Sequence, residues 1–203
     1  MSGRLIVFEG GEASGKSTQA ARLAGRLGAR STREPGGTAL GAQLRTVLLD
    51  RSAMQVDERA EALLMAADRA QHVIEVVEPA LSSGGDVICD RFVGSSLAYQ
   101  GYGRGLDVEE IRRLSAFATG GLEPDLVILL DLAPDVASGR IERAPDRIET
   151  AGAEFHARVR AGYLALAEAD PKRWVVIDAS RPVDEVTETI NTVVDQRLGR
   201  VPR

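Results

Sequence analysis

Residues 10–17, GGEASGKS, fit the spacing G-x-x-x-x-G-K-[ST]. The chemistry of that spacing is anion binding. Glycines let successive backbone N–H groups converge on phosphate oxygens, and a helix opening behind them adds the positive end of its dipole. Lys16 has the reach for terminal phosphates, and the Ser17 hydroxyl can ligate Mg²⁺. Gly10, Gly11, Glu12, Ala13, Ser14, Gly15, Lys16, Ser17 and Thr18 are thus candidate ligands of a nucleotide such as ATP. The spacing alone says only nucleotide, since GTPases, motors and kinases share it. Glu12 is the odd member, because a carboxylate in a phosphate cradle must point away from the phosphates, toward a hydroxyl, a metal-bound water or solvent.

Other charged residues lie at the ends of apolar runs. DVICD (86–90) delivers Asp90, which suits a magnesium shell and is followed at once by Arg91 and the polar stretch RFVGSSLAYQGYGRG (91–105). Asp131 ends LVILL in the same way, but a structural role at a strand-to-turn junction suits it better. TREPGGT (32–38) is either a plain connection or a binding wall containing Pro35. Arg69 sits inside a helical pattern, where pairing with Asp68 or a surface acid fits as well as a ligand role. Arg140, Arg143 and Arg147 fall in GRIERAPDRIE (139–149), where Pro145 interrupts the helical pattern. A mobile lid that neutralises charge during phosphoryl transfer is favoured there over a solvated face.

The elements that must position these residues follow from periodicity. Buried strands are predicted over 4–10, 86–90, 125–132 and 173–179, with a weaker, polar one over 28–35. Helical spacing runs through Leu40, Leu44 and Leu48, and through Ala60, Leu63, Leu64, Ala67, Ile74 and Val77 in one long helix over 57–81. It recurs at Ile111, Leu114 and Phe117, at Phe155, Val159, Tyr163 and Leu166, and at Val186, Ile190 and Val193, where Pro182 suits a first turn. Alternating strands and helices imply a parallel sheet with helices on both faces, whose ligands bind beyond the carboxyl ends of the strands. Every motif above falls at such an end.

The chain of 203 residues suits one domain, here 1–203 with a lid at about 139–149. The net charge of −5 argues against a nucleic-acid partner, so any cationic site must be local. No apolar run is long enough to cross a bilayer, no signal-peptide layout is present, and the single Cys89 cannot form an internal disulfide. A cytoplasmic protein without nucleic-acid or membrane partners is expected.

Taken together, FEGGEASGKST, TREPGGT, AADRAQH, DRF..SSLAYQG and FHARVRAGYLALA resemble the bacterial thymidylate kinase family over nearly the whole chain. The resemblance implies a P-loop α/β/α fold with a five-stranded parallel sheet in the order 2-3-1-4-5. It also implies transfer of the γ-phosphoryl group of Mg·ATP to dTMP in a homodimer. It further implies that Glu12 takes a hydrogen bond from the acceptor 3′-hydroxyl, Arg91 binds the acceptor phosphate, and Arg69 contacts the thymine edge. Ser95, Ser96 and Gln100 would lie by the base, and Tyr99 would crowd the sugar C2′ position. Ser17 and Asp90 are the implied metal residues, Arg181 joins the donor site, and the lid arginines would be catalytic, because GEAS lacks one. Met65 stands where relatives carry a phenylalanine on the thymine, and Phe92 where a tyrosine is usual. Met65 keeps open a kinase of another monophosphate, UMP or dUMP. A GTP switch fits poorly, because no Asn-Lys-x-Asp segment exists. The nucleophile would be the acceptor's own phosphate, mostly dianionic at pH 7 because its second pKa lies near ~6. No general base is then needed, and His72 and His156 read as structural.

Overall fold

The structure is a computed structural model and describes residues 3–50, 55–140 and 146–199. The run LIVFE forms β1 (Leu5–Glu9), buried along its whole length. A continuous apolar strand of this kind needs cover on both faces, and β1 has it as the central strand of a parallel sheet. β2 (Arg30–Arg33), β3 (Val87–Asp90), β4 (Leu126–Asp131) and β5 (Trp174–Asp178) complete the order β2-β3-β1-β4-β5. β2 is polar and largely exposed because it is an edge strand. Its register, Arg33 opposite Asp90, and that of β1, Phe8 opposite Asp90, bring the sheet's chemistry to one end.

The helices are α1 (Lys16–Leu27), α2 (Ala39–Leu49), α3 (Glu58–His72), α4 (Glu78–Ser82), α5 (Val93–Ser96), α6 (Val108–Thr119), α7 (Pro134–Ser138), α8 (Ala153–Ala169) and α9 (Val183–Leu198). One core lies between the sheet and α1 and α9, with Phe8, Ile128, Leu23 and Ile190 at its centre. A second cluster packs Tyr99, Phe155, Val159 and Tyr163 on the opposite face. Truncating a residue such as Phe8 to alanine would cost about 3–5 kcal/mol. No helix among the described residues is long and apolar enough to cross a membrane.

Three details depart from the sequence reading. The expected single helix over 57–81 is α3 and α4 joined by a π-helical turn, Val73–Val77. Pro182 caps α9 from outside rather than occupying its first turn. The third concerns which side of α3 is buried. Ala60, Leu63, Ala67 and, in the π turn, Ile74 are exposed, while Glu61, Asp68, Arg69 and His72 are buried. The polar stripe faces inward because each member finds a partner there, as the site makes plain.

Candidate active site

The chain leaves β1 through residues 10–15 and enters α1 at Lys16. Gly10 has φ 145° and Gly15 φ 87°, with Ala13 also left-handed at 53°. A Cβ on Gly10 would stand 2.5 Å from the Leu130 carbonyl oxygen, so only glycine fits this close passage over β4. Ser14 Oγ donates to the Gly11 carbonyl at 2.9 Å, and Lys16 Nζ donates to the same carbonyl at 2.5 Å. Burial and the neighbouring Arg91 guanidinium push the Lys16 ammonium down to about 8, against Glu12, Asp90 and Glu9, which support its charge.

Ser17 Oγ donates to Asp90 Oδ2 at 2.5 Å. The other oxygen, Asp90 Oδ1, is buried and accepts no hydrogen bond. A hydroxyl and an unsatisfied carboxylate oxygen side by side are a fitting donor pair for a hard cation. No cluster of three or more acids, histidines or cysteines suited to a metal occurs among the described residues. A divalent ion here would therefore draw most of its oxygens from phosphate and water, as Mg²⁺ does. Asp131, by contrast, is closed in a bidentate pair with Arg160 at 2.7 and 2.8 Å, the structural role read from its position.

Arg91 is the hub of the second half of the site. It follows β3 with φ 72°, a left-handed conformation costly for any residue that carries a Cβ. Its backbone N–H donates to Phe8 O at 2.9 Å, which pins it to the central strand. Nη1 reaches Gly10 O, Ser95 Oγ and Tyr163 Oη, and Nη2 reaches Glu12 Oε1 at 2.6 Å and Tyr99 Oη at 3.2 Å. Tyr99 in turn donates to Glu12 Oε1 at 2.8 Å. Glu12 thus points away from the glycine cradle, toward Arg91. Burial alone would raise its carboxyl, but Arg91, Lys16 and the Tyr99 hydroxyl outweigh that and hold it at about 2.

Beneath Arg91 lies Glu9, wholly buried at the end of β1. It accepts from the backbone N–H groups of Phe92 and Ser95, from Ser95 Oγ at 2.6 Å and from Tyr163 Oη at 3.1 Å. Burial pushes its carboxyl up despite these donors. Gly94 makes room for it, since a Cβ there would stand 2.8 Å from Glu9 Oε1. Sequence reasoning missed Glu9 and Tyr163. The available signal was an acid ending an apolar strand, the layout that drew attention to Asp90.

One cavity gathers Glu12, Pro35, Met65, Arg69, Arg91, Ser95, Ser96, Tyr99 and Gln100, together with Glu34, Arg45 and Asp146. All the residues expected at an acceptor are therefore in one place. Arg69 is buried; Nε donates to Glu34 Oε2 at 2.8 Å and Nη2 to Phe92 O and Ser96 Oγ. Its acid partner is Glu34, not Asp68 or a surface group. Glu34 also holds His72, whose far nitrogen meets Thr32 Oγ1, so His72 is structural as expected. His156 meets the Glu149 carbonyl from α8.

A second cavity, on the α1–α9 side, is lined by Ala13, Ser14, Gly15, Thr18, Arg140, Ser180, Arg181 and Pro182. A third joins the two, running past Glu12, Lys16, Ser17, Arg33, Arg45, Asp90, Arg91 and Arg140. Arg33 and Arg45 are cations the sequence reading did not include. Arg140 donates to the carbonyls of Ala179 and Ser180, beside the cradle. Arg147 is placed elsewhere, with Nη2 on Glu61 at 2.7 Å and Nε on the Leu48 carbonyl. Arg143 and Pro145 lie outside the described residues. A further hollow of about 660 Å³, between the end of β4 and α8, contains the closed Asp131–Arg160 pair and shares Glu12 and Gly11 with the cradle.

Two cavities joined by a third therefore meet above the sheet, with Lys16, Arg91 and Arg140 around their junction. The family model described as thymidylate kinase matches residues 8–190. The chain is similar to the thymidylate kinase of Leifsonia xyli subsp. xyli, 53% identical over 205 residues that span 97% of this chain and 96% of the relative. It is similar to that of Synechococcus sp. (strain JA-3-3Ab), 53% identical over 98% of this chain and 99% of the relative. It is likewise similar to that of Desulfovibrio desulfuricans, 50% identical over 97% of each.

Proposed function

This chain belongs to the thymidylate kinase family, and we propose how its residues divide the work of that reaction. The enzyme phosphorylates dTMP, with ATP as the phosphoryl donor. The γ-phosphoryl group passes to the acceptor's 5′-phosphate, which gives dTDP and ADP. Because the nucleophile is already anionic, the protein's task is to hold two anions in line against their repulsion.

The donor triphosphate lies on the backbone of residues 10–18, with Lys16 on its terminal phosphates and Arg181 beside the nucleoside end. Ser17 and Asp90 would hold Mg²⁺, which neutralises triphosphate charge and orients it. The dTMP phosphate lies on Arg91, its base between Met65, Arg69, Ser96 and Gln100, and its sugar against Tyr99. Glu12 takes a hydrogen bond from the sugar hydroxyl. Its position on the Arg91 side of the cradle, 2.6 Å from the guanidinium, is the observation that carries this reading. A carboxylate there repels a misplaced phosphate and rewards a neutral hydroxyl. Arg140, Arg143 and Arg147 supply charge to the group in transit as the lid, about 139–149, closes; Arg147 would have to leave Glu61 to do so.

We also infer that the chain works as one domain in a homodimer. Leu63 and Ile74 along the α3 run and Phe117 on the adjoining α6 are 58%, 66% and 87% exposed, an apolar strip that a second copy would cover. The buried free thiol of Cys89 suits the reducing cytoplasm. The test is ADP release from Mg·ATP by purified protein with and without dTMP. Stimulation by dTMP is expected. No stimulation, or GTP hydrolysis independent of any acceptor, would overturn the reading.

A further inference from the structure

Gln100 lines the acceptor cavity, and its Nε2 donates to Glu61 Oε1 at 2.9 Å. Glu61 lies in α3 and is wholly buried. Arg147 Nη2 and Arg104 Nη2 meet its Oε2 at 2.7 and 3.1 Å, and Arg104 Nε approaches Oε1 at 3.3 Å. Burial raises the Glu61 carboxyl, but the donors Arg104, Gln100 and Arg147 outweigh it and keep the group below the ordinary carboxylate value. An ionised carboxylate only accepts. Only the NH₂ end of Gln100 can therefore face it, and the carbonyl is the end left for the cavity.

A free glutamine amide has no fixed polarity, since a half-turn exchanges donor and acceptor. Glu61 removes that freedom. Beside Gln100, Ser96 Oγ accepts from Arg69 at 3.1 Å and keeps its own proton to donate. The wall therefore presents a donor next to an acceptor. Thymine and uracil show the complementary pair, the O4 carbonyl and N3–H. Cytosine shows the reverse, an amino group and a bare N3.

We propose that Glu61 is a positioning residue for base selection: by fixing Gln100 with its carbonyl toward the cavity, it admits pyrimidines that carry N3–H and turns away cytosine. The proposal rests on the reading that this cavity holds the acceptor's base. It goes beyond that reading by assigning the discrimination to a residue the substrate does not touch.

The test is Glu61→Gln. Arg104 Nη2 stays on Oε2 even when Arg147 leaves with the lid, so the new amide would keep oxygen there and turn its NH₂ to Gln100, which must then flip. The ratio of kcat/KM for dTMP over dCMP is expected to fall roughly 10- to 100-fold, the worth of a mismatched buried hydrogen bond. The ratio for dTMP over dUMP, which share the N3–H face, is expected to hold within about threefold. Where turnover of dCMP is too slow to follow, its competitive inhibition constant replaces it. Both ratios are independent of how much of the variant folds. The double variant Glu61→Gln with Gln100→Glu reverses the donor and restores an acceptor to the cavity, so the dTMP preference should return. A Glu61→Gln enzyme that loses activity with an unchanged dTMP-to-dCMP ratio, or a double variant that fails to recover the ratio, overturns the proposal. Wild type that ignores dTMP altogether would refute the function itself, a separate outcome.

Discussion

Lys16 offers the sharpest pH prediction. Its ammonium is buried in the cradle and, with Arg91 close by, titrates near 8 rather than 10.5. A triphosphate binds the charged form, so binding requires a proton on Lys16 once the pH passes that value. With a free-enzyme pKa of about 8, the KM for ATP should rise about 30-fold between pH 7 and pH 9.5, against about 1.1-fold for a lysine titrating at 10.5. The other ionisable groups of the site do not mimic this limb. The Arg91 guanidinium is driven further above its ordinary value by Tyr99, Glu12 and Tyr163, which outweigh its burial, and burial pushes Tyr99, Tyr163 and Cys89 well up. The KM for dTMP, which depends on Arg91, should therefore stay flat over the same range. Coupled ADP-release assays at saturating partner substrate measure both constants, and circular dichroism at pH 9.5 checks that the fold persists. Calorimetry at pH 8 in buffers of differing ionisation enthalpy should register uptake of about 0.5 proton per ATP bound. A KM for ATP that stays constant to pH 9.5 would refute the assignment of Lys16 as a desolvated, half-titrated phosphate ligand.

Four further outcomes are expected. Arg91→Ala should cost on the order of 10²-fold or more in turnover with dTMP while ATP binding, followed by calorimetry, stays within a few-fold; near-normal turnover contradicts its role. Glu12 has a folded pKa of about 2 against an ordinary 4.5, so the stability it adds is present above 4.5 and lost as the pH falls through 2; urea unfolding of Glu12→Gln should show a deficit of roughly 2–3 kcal/mol at pH 7 that shrinks below pH 4, and its alkaline limb for ATP should move to lower pH. Arg69→Ala leaves the Glu34 carboxylate buried without its guanidinium and should destabilise by about 3–5 kcal/mol in the same assay, with Arg69→Lys no adequate substitute because Glu34, Ser115, Phe92 and Ser96 all accept from the fork. The proposed dimer should appear in light scattering of the wild type and fall to a monomer in Phe117→Glu; a monomeric wild type refutes the dimer, and an unchanged mass in the variant moves the interface elsewhere.

What the sequence reveals depends on whether a residue's environment is set locally. The cradle and Arg91 could be read from sequence because a glycine spacing and a strand-end position fix their geometry within a few residues. The parallel sheet was equally legible, since β1, β3 and β4 are apolar along nearly their whole length. α3 was misleading for the opposite reason. Its apolar positions Ala60, Leu63 and Ala67 look like a core stripe, yet they face outward, and besides Ala62 and Ala66 the buried residues are Glu61, Asp68, Arg69 and His72. Those four also recur at helical spacing, so a polar stripe of the same period was present in the letters. Its burial is tolerable only because Glu34, Thr32, Gln100, Arg104 and Arg147 approach from other elements, with Arg147 86 positions from Glu61. No local pattern announces partners at such separations. A buried acid with a cation from a distant segment is weak evidence of stability, because burying both charges costs nearly what their attraction returns. What the arrangement does supply is orientation: the inward polar stripe of α3 fixes Arg69 and Gln100 at the cavity proposed for the acceptor, while the outward apolar stripe faces the partner subunit we propose. On the proposed dimer the same helix joins substrate positioning to assembly: a substitution at Leu63 that lowers the mass in light scattering should also weaken dTMP binding, whereas one on the exposed face of α9 should do neither.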